Sequence, residues 1–256
     1  MSNGQRLDNA TSLYVEGIRD GDYVTAINTY AGERYTQHST PVRDGKDGFI
    51  EFFADFIDRN PTRDIEILRG FEDGQYVFLH AAQDLDGGRY RYVTADIFDT
   101  DDDAKLIEHW DIIEELQGTN ASGRSQVDGP REVSDLQSTA SNKRVVTEFL
   151  EEVLIKGALE RLPEFMAPDY AEHNSGIADG IASLRGHLAE HSVRYIEVHK
   201  VVGCGNFVAT LSESESDGIR RAVIDLFRLE GGAIVEHWDV VEVITPEETW
   251  VNSGKF

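Results

Sequence analysis

A short stretch, Ile107-Glu108-His109-Trp110-Asp111-Ile112-Ile113, returns later in the chain as Val235-Glu236-His237-Trp238-Asp239-Val240-Val241. Each stretch carries an imidazole and a carboxylate two residues apart, and such residues share one face of a strand. His109 and Asp111 therefore lie together, as do His237 and Asp239, with Trp110 and Trp238 on the opposite faces. In the preceding strand Asp96 keeps company with Thr94 and Phe98, and one strand earlier His80 lies with Phe78 and Ala82. If those apolar partners mark the inward face, His80, Asp96 and His109 enter one cavity, and His38 reaches its mouth. Burial raises the pKa of such an Asp because the charged form loses hydration, while a neighbouring imidazolium opposes the shift. A carboxyl group poised this way exchanges protons near neutral pH, which general acid–base catalysis requires. The imidazoles can polarise a carbonyl or hold its oxygen. No covalent nucleophile is evident.

The second stretch has a thinner set: His173, Asp225 and His237, with the place of His80 falling near Thr210. The bland alternative is that these are satisfied structural hydrogen bonds, with Trp110 and Trp238 as packing anchors on the outer faces. His38, His80, His109 and Asp96 could also satisfy a divalent ion, but no His-x-His pair supports that, and metal chemistry ranks last. No cofactor is expected. His187, His191 and His199 have no counterpart in the first half and receive no role. Cys204, the single cysteine, precludes an intramolecular disulfide and reads as a buried, inert thiol.

The elements that must position these residues repeat as well. Tyr35-Thr36-Gln37-His38 returns as Tyr170-Ala171-Glu172-His173, each followed by Asp-Gly (Asp44-Gly45, Asp179-Gly180), and Ala95-Asp96-Ile97-Phe98 matches Ile224-Asp225-Leu226-Phe227. Apolar spacing predicts a helix, a turn at Gly21-Asp22 and a second helix over Leu13–Tyr30, then a helix over Asp47–Ile57. Strands follow at Arg63–Arg69, Tyr76–Gln83, Tyr90–Phe98 and Lys105–Leu116. The second copy gives helices at Asn142–Ile155, Leu159–Phe165 and Ile181–His191. Its strands are Tyr195–Val201, Phe207–Glu213, Arg220–Leu229 and Ala233–Val243, with Gly231-Gly232 making the last turn. Helices first and a curved antiparallel sheet second is an α+β pattern. The expected division is a first domain over 1–116, a polar linker over 117–141 lying extended on the surface, and a second domain over 142–256.

Composition narrows the partners. Asp and Glu number 48 against 24 Lys plus Arg, a formal net charge of −24 over 256 residues. Such a surface repels nucleic-acid phosphates and anionic membranes. The same acidic, lysine-poor balance is that of proteins from salt-loving cells, where ionic strength screens self-repulsion. No stretch approaches the roughly 20 apolar residues that span a bilayer, and Met1 to Ala10 lacks the apolar run of a secretory signal. A soluble, cytoplasmic protein is expected.

Tyr-x-x-His followed by Asp-Gly and a helix, then Asp-x-Phe, then Glu-His-Trp-Asp, resembles the SnoaL-like polyketide cyclases of the nuclear-transport-factor-2-like superfamily. Both copies match, and Trp250–Phe256 is similar to the tails of that group. The resemblance implies two tandem cone-shaped α+β domains, each a curved sheet wrapped on helices. It implies cofactor-free aldol chemistry with Asp96, and Asp225 in the second copy, as the acid–base group. His38, His80 and His109, with His173 and His237, would surround them. Family members commonly dimerise through the open sheet face, a pairing that the tandem copies could supply within one chain. The expected function is acid–base catalysis of aldol condensation, cyclisation, isomerisation or dehydration on a small carbonyl compound. The alternative is a non-catalytic module that binds a small apolar ligand.

Overall fold

The computed structural model describes residues 4–256; Met1, Ser2 and Asn3, which open the polar N-terminal stretch, lie outside them. The first unit begins with α1 (Gln5–Ser12), which runs on as a π-helical segment over Leu13–Arg19, then α2 (Tyr23–Tyr30). β1 (Ala31–Gln37) and α3 (Gly45–Arg59) precede four longer strands: β2 (Arg63–Asp73), β3 (Tyr76–Leu85), β4 (Tyr90–Thr100) and β5 (Leu106–Glu115). The second unit has α4 (Thr139–Phe149), a π-helical continuation over Leu150–Ile155, α5 (Leu162–Phe165), β6 (Met166–Glu172) and α6 (Ile181–Glu190). Its strands are β7 (Arg194–Cys204), β8 (Phe207–Ser216), β9 (Ile219–Glu230) and β10 (Ala233–Val243).

Each unit is a five-stranded mixed sheet, in the order β1-β5-β4-β3-β2 and β6-β10-β9-β8-β7. The fold is α+β, as the pattern predicts, with one strand per sheet beyond the four expected. That extra strand pairs in parallel with the last one, β1 on β5 and β6 on β10. Both extra strands carry a register irregularity and little β-branched sequence, so no alternation announces them.

The Asp-Gly motif fixes the end of this strand. The Asp44 carboxylate accepts the backbone N–H of Gln37 at 2.8 Å, and Asp179 accepts that of Glu172 at 3.0 Å. The glycine that follows turns the chain into the next helix at φ 83° (Gly45) and 93° (Gly180), a region closed to most side chains. Helix and sheet bury a core that includes Leu13, Ile27, Phe49, Val77, Leu79 and Phe98 in the first unit. Val146, Leu150, Leu184, Val208, Phe227 and Ile234 serve likewise in the second.

The compact units are discontinuous in sequence: residues up to Glu115 join Thr245–Phe256, and Leu116–Ile244 form the other. Each unit is thus completed by the segment that follows the other copy's last strand. Asn120 donates to the carbonyls of Glu172 and Ile177 at 2.7 and 2.8 Å, and Asn252 to those of Ser39 and Val42 at 2.7 and 2.9 Å. Among the described residues no helix is long and apolar enough to cross a membrane. Cys204, expected to be buried, ends β7 partly exposed.

Candidate functional site

In the first unit the ladder sets Asp96 directly opposite Asp111, Phe98 opposite His109, and His109 beside Gln37. All share the face turned toward the helices. His109 Nε2 lies 2.9 Å from Asp96 Oδ1, and its Nδ1 lies 3.0 Å from Gln37 Oε1. The Tyr14 hydroxyl, from the π-helical turn, donates to Asp96 at 2.9 Å, and Thr94 donates at 3.1 Å. Asp96 is fully buried, and that burial pushes its pKa up, with bonds from His109 and Tyr14 and the charge of His109 opposing and the Asp111 charge adding to it. Burial would do the same to Asp111, but Lys255 at 3.3 Å and His109 outweigh it and hold that carboxyl below its usual value.

These groups floor a cavity of about 90 Å³ walled by Leu13, Phe49, Phe53 and Phe98. The Tyr35 ring lies nearly parallel to His109, 6.5 Å away, on the same wall. Its hydroxyl is buried without a hydrogen-bond partner. Burial, then the charges of Asp96 and Asp111, keep this phenol protonated by raising its pKa well above the ordinary value. At the mouth, Phe56, Gln83 and Ile113 also border an outer groove of about 550 Å³.

The second unit repeats the plan with different residues. His237 Nε2 lies 3.1 Å from Asp225 Oδ1, and Nδ1 lies 3.1 Å from both oxygens of Glu172. Tyr195, from β7 instead of a helix, donates to Asp225 at 2.8 Å, and Thr210 donates at 3.3 Å. The Tyr170 hydroxyl is spent on Glu172. Asp239 accepts the Asn174 amide at 2.7 Å. The cavity here is about 70 Å³.

The expected convergence of four side chains is corrected by the ladder. Asp96 and His109 meet, but His80 stands opposite Ala95, one position from Leu79, which faces Asp96. Its Nδ1 instead accepts Arg69 Nη1 at 3.0 Å on the other face. β3 is apolar on both sides, so alternation could not tell inward from outward. The counterpart of His80 by register is Leu211; Thr210 matches Leu79. His38 follows Gln37 and so turns to the outer face, stacked on Trp110 at 4.8 Å and bonded to Glu108 at 2.9 Å and the Gly254 carbonyl at 2.7 Å. His173 repeats this on Trp238 at 4.4 Å with Glu236 at 2.8 Å. The three-histidine metal set is therefore not assembled, and no other metal-holding cluster occurs among the described residues.

Residues 12–109 and 146–237 each match the SnoaL-like domain, together more than half of the chain. The chain belongs to the SnoaL-like family. Among solved structures, it is similar to a candidate polyketide cyclase from Bacillus cereus, at 18% identity and TM-score 0.39 over 43% of this chain and 74% of that one. A candidate ketosteroid isomerase from Kribbella flavida matches at 16% identity and TM-score 0.38, over 43% and 84%. An LEH-like epoxide hydrolase from M. tuberculosis matches at 19% and 0.36, over 41% and 85%. A search of curated proteins found no match.

Proposed function

We propose that the first SnoaL-like unit is a cofactor-independent acid–base catalyst acting on a small carbonyl compound. The observation that carries this reading is the buried, unpartnered hydroxyl of Tyr35, a residue of the same wall as the Asp96–His109 pair. A carboxylate offers about four acceptor sites; His109, Tyr14 and Thr94 fill three at Asp96. The remaining site can take a proton from the carbon beside a carbonyl. The electron pair released moves to the carbonyl oxygen, where the Tyr35 O–H stabilises the enolate. Returning the proton to the far carbon of a conjugated enolate isomerises the compound; attack of the enolate carbon on a second carbonyl joins the two, and the alkoxide formed takes the proton back from Asp96.

Size limits the substrate. A cavity of roughly 150 Å³ encloses a benzene-sized ligand, so the inner space of about 90 Å³ takes in a carbonyl and its α-carbon and leaves the rest of even a five-membered ring toward the outer groove. The body of a larger molecule would lie in the outer groove. The strongly acidic composition gives no footing to a nucleic-acid partner, and a cytoplasmic location fits small-molecule chemistry of this kind.

The test is deuterium uptake at the α-carbon of cyclopentanone in D₂O, followed by NMR. Asp96→Asn is expected to lower the protein-dependent rate roughly 10²–10⁴-fold. A variant that exchanges as fast as the wild type removes the catalytic reading and leaves a binding cavity.

A further inference from the structure

The two sites differ at the ladder position beside the histidine: Gln37 stands beside His109, and Glu172 beside His237. In the first unit the Gln37 amide oxygen takes the Nδ1 proton, which fixes Nε2 as the nitrogen facing Asp96. One proton lies on that hydrogen bond and can sit at either end. In the second unit both ring nitrogens face carboxylates. An ionised carboxylate only accepts, so both nitrogens must donate.

We propose that proton transfer is confined to the first copy: Gln37 leaves its imidazole–carboxylate pair a movable proton and an open phenol, and Glu172 removes both from the second. This rests on the acid–base reading above. Glu172 is itself held by the backbone N–H groups of His173 and Asn174, each at 2.9 Å, and by Tyr170. The surrounding groups are Glu172 from β6, Asp225 from β9, Tyr195 from β7 and Asp239 on the same strand, with half-buried His187 across the cavity. Burial alone would discharge His237, but Glu172 and Asp225 overcome it and raise its pKa well above 6.5. With both nitrogens already protonated and held by carboxylates, the fixed imidazolium cannot take over a proton that Asp225 draws from a substrate. Tyr170, the counterpart of Tyr35, donates to Glu172 and offers nothing to a ligand.

The experiment uses the full chain with Gln37→Glu, Glu172→Gln and Asp96→Asn, read by cyclopentanone exchange and by ring-nitrogen NMR of the histidines. Wild-type His237 is expected to carry protons on both nitrogens at pH 8 and to lose one in Glu172→Gln. Gln37→Glu should give His109 the doubly protonated signature and cut exchange at least about tenfold. Asp96→Asn should leave less than about a tenth of the exchange, whereas two working sites would leave about half. Residual exchange near half, or full exchange in Gln37→Glu, overturns the inference. Glu172→Gln relieves a buried charge and keeps the test open if Gln37→Glu does not fold. A wild type without any exchange overturns the acid–base reading itself; the ring spectra then decide the inference, and a singly protonated His237 would sink it.

Discussion

At the scale of the residue, Tyr35 is the group whose removal separates structure from chemistry. Leaving a buried hydroxyl unsatisfied costs about 1–3 kcal/mol, so Tyr35→Phe is expected to keep or raise the melting temperature. The same change should lower cyclopentanone exchange about 100-fold, the effect of losing one oxyanion donor. A melting temperature several degrees lower would show that the hydroxyl has a structural partner. Asp96, His109, Asp225 and His237 were legible in the sequence because motif repetition and strand parity both point to them. Gln37, Glu172, Tyr14 and Tyr195 were not. The first two sit beside a more conspicuous histidine, and the tyrosines reach their aspartates from different elements in the two units, so repetition gives no signal.

At the scale of the element, the segment Thr245–Phe256 brings Lys255 to Asp111, both almost wholly buried. Breaking a buried ion pair by removing one partner costs about 3–5 kcal/mol. Lys255→Met should lose that much at pH 7 in chemical denaturation. The sign with pH follows from Asp111, whose folded pKa lies below 3.8. Its contribution is present above 3.8 and is lost as pH falls through the lower folded value. The deficit of the variant should therefore shrink toward acid, where a protonated Asp111 needs no cation; a constant deficit would point to lost packing instead. The tail was recognised from sequence as a family feature, but nothing local to it names Asp111 as its partner. Contacts made across so many residues leave no periodic trace. The helices and the long strands, by contrast, were readable because each carries its own apolar spacing, whereas β1 and β6 carry none.

At the scale of the whole molecule, a formal net charge of −24 makes self-repulsion the dominant long-range term. Raising KCl from about 0.05 M to about 1 M shortens the screening length to about 3 Å. The melting temperature should rise over that range. A fall would mean that pairs such as Arg161 with Glu152 and Glu164 contribute more than repulsion removes.

The discontinuous units also set an order of assembly during translation. Everything in the first unit up to Glu115 leaves the ribosome before any of Leu116–Ile244, yet its remaining piece, Thr245–Phe256, is made afterwards. At about 5–20 residues per second the interval is on the order of ten seconds. Throughout it, Asp111 has no Lys255 and His38 has no Gly254 carbonyl to bond. The second unit has no such wait, since Leu116 onward emerges as one run. The copy synthesised first is therefore the last to have its site finished.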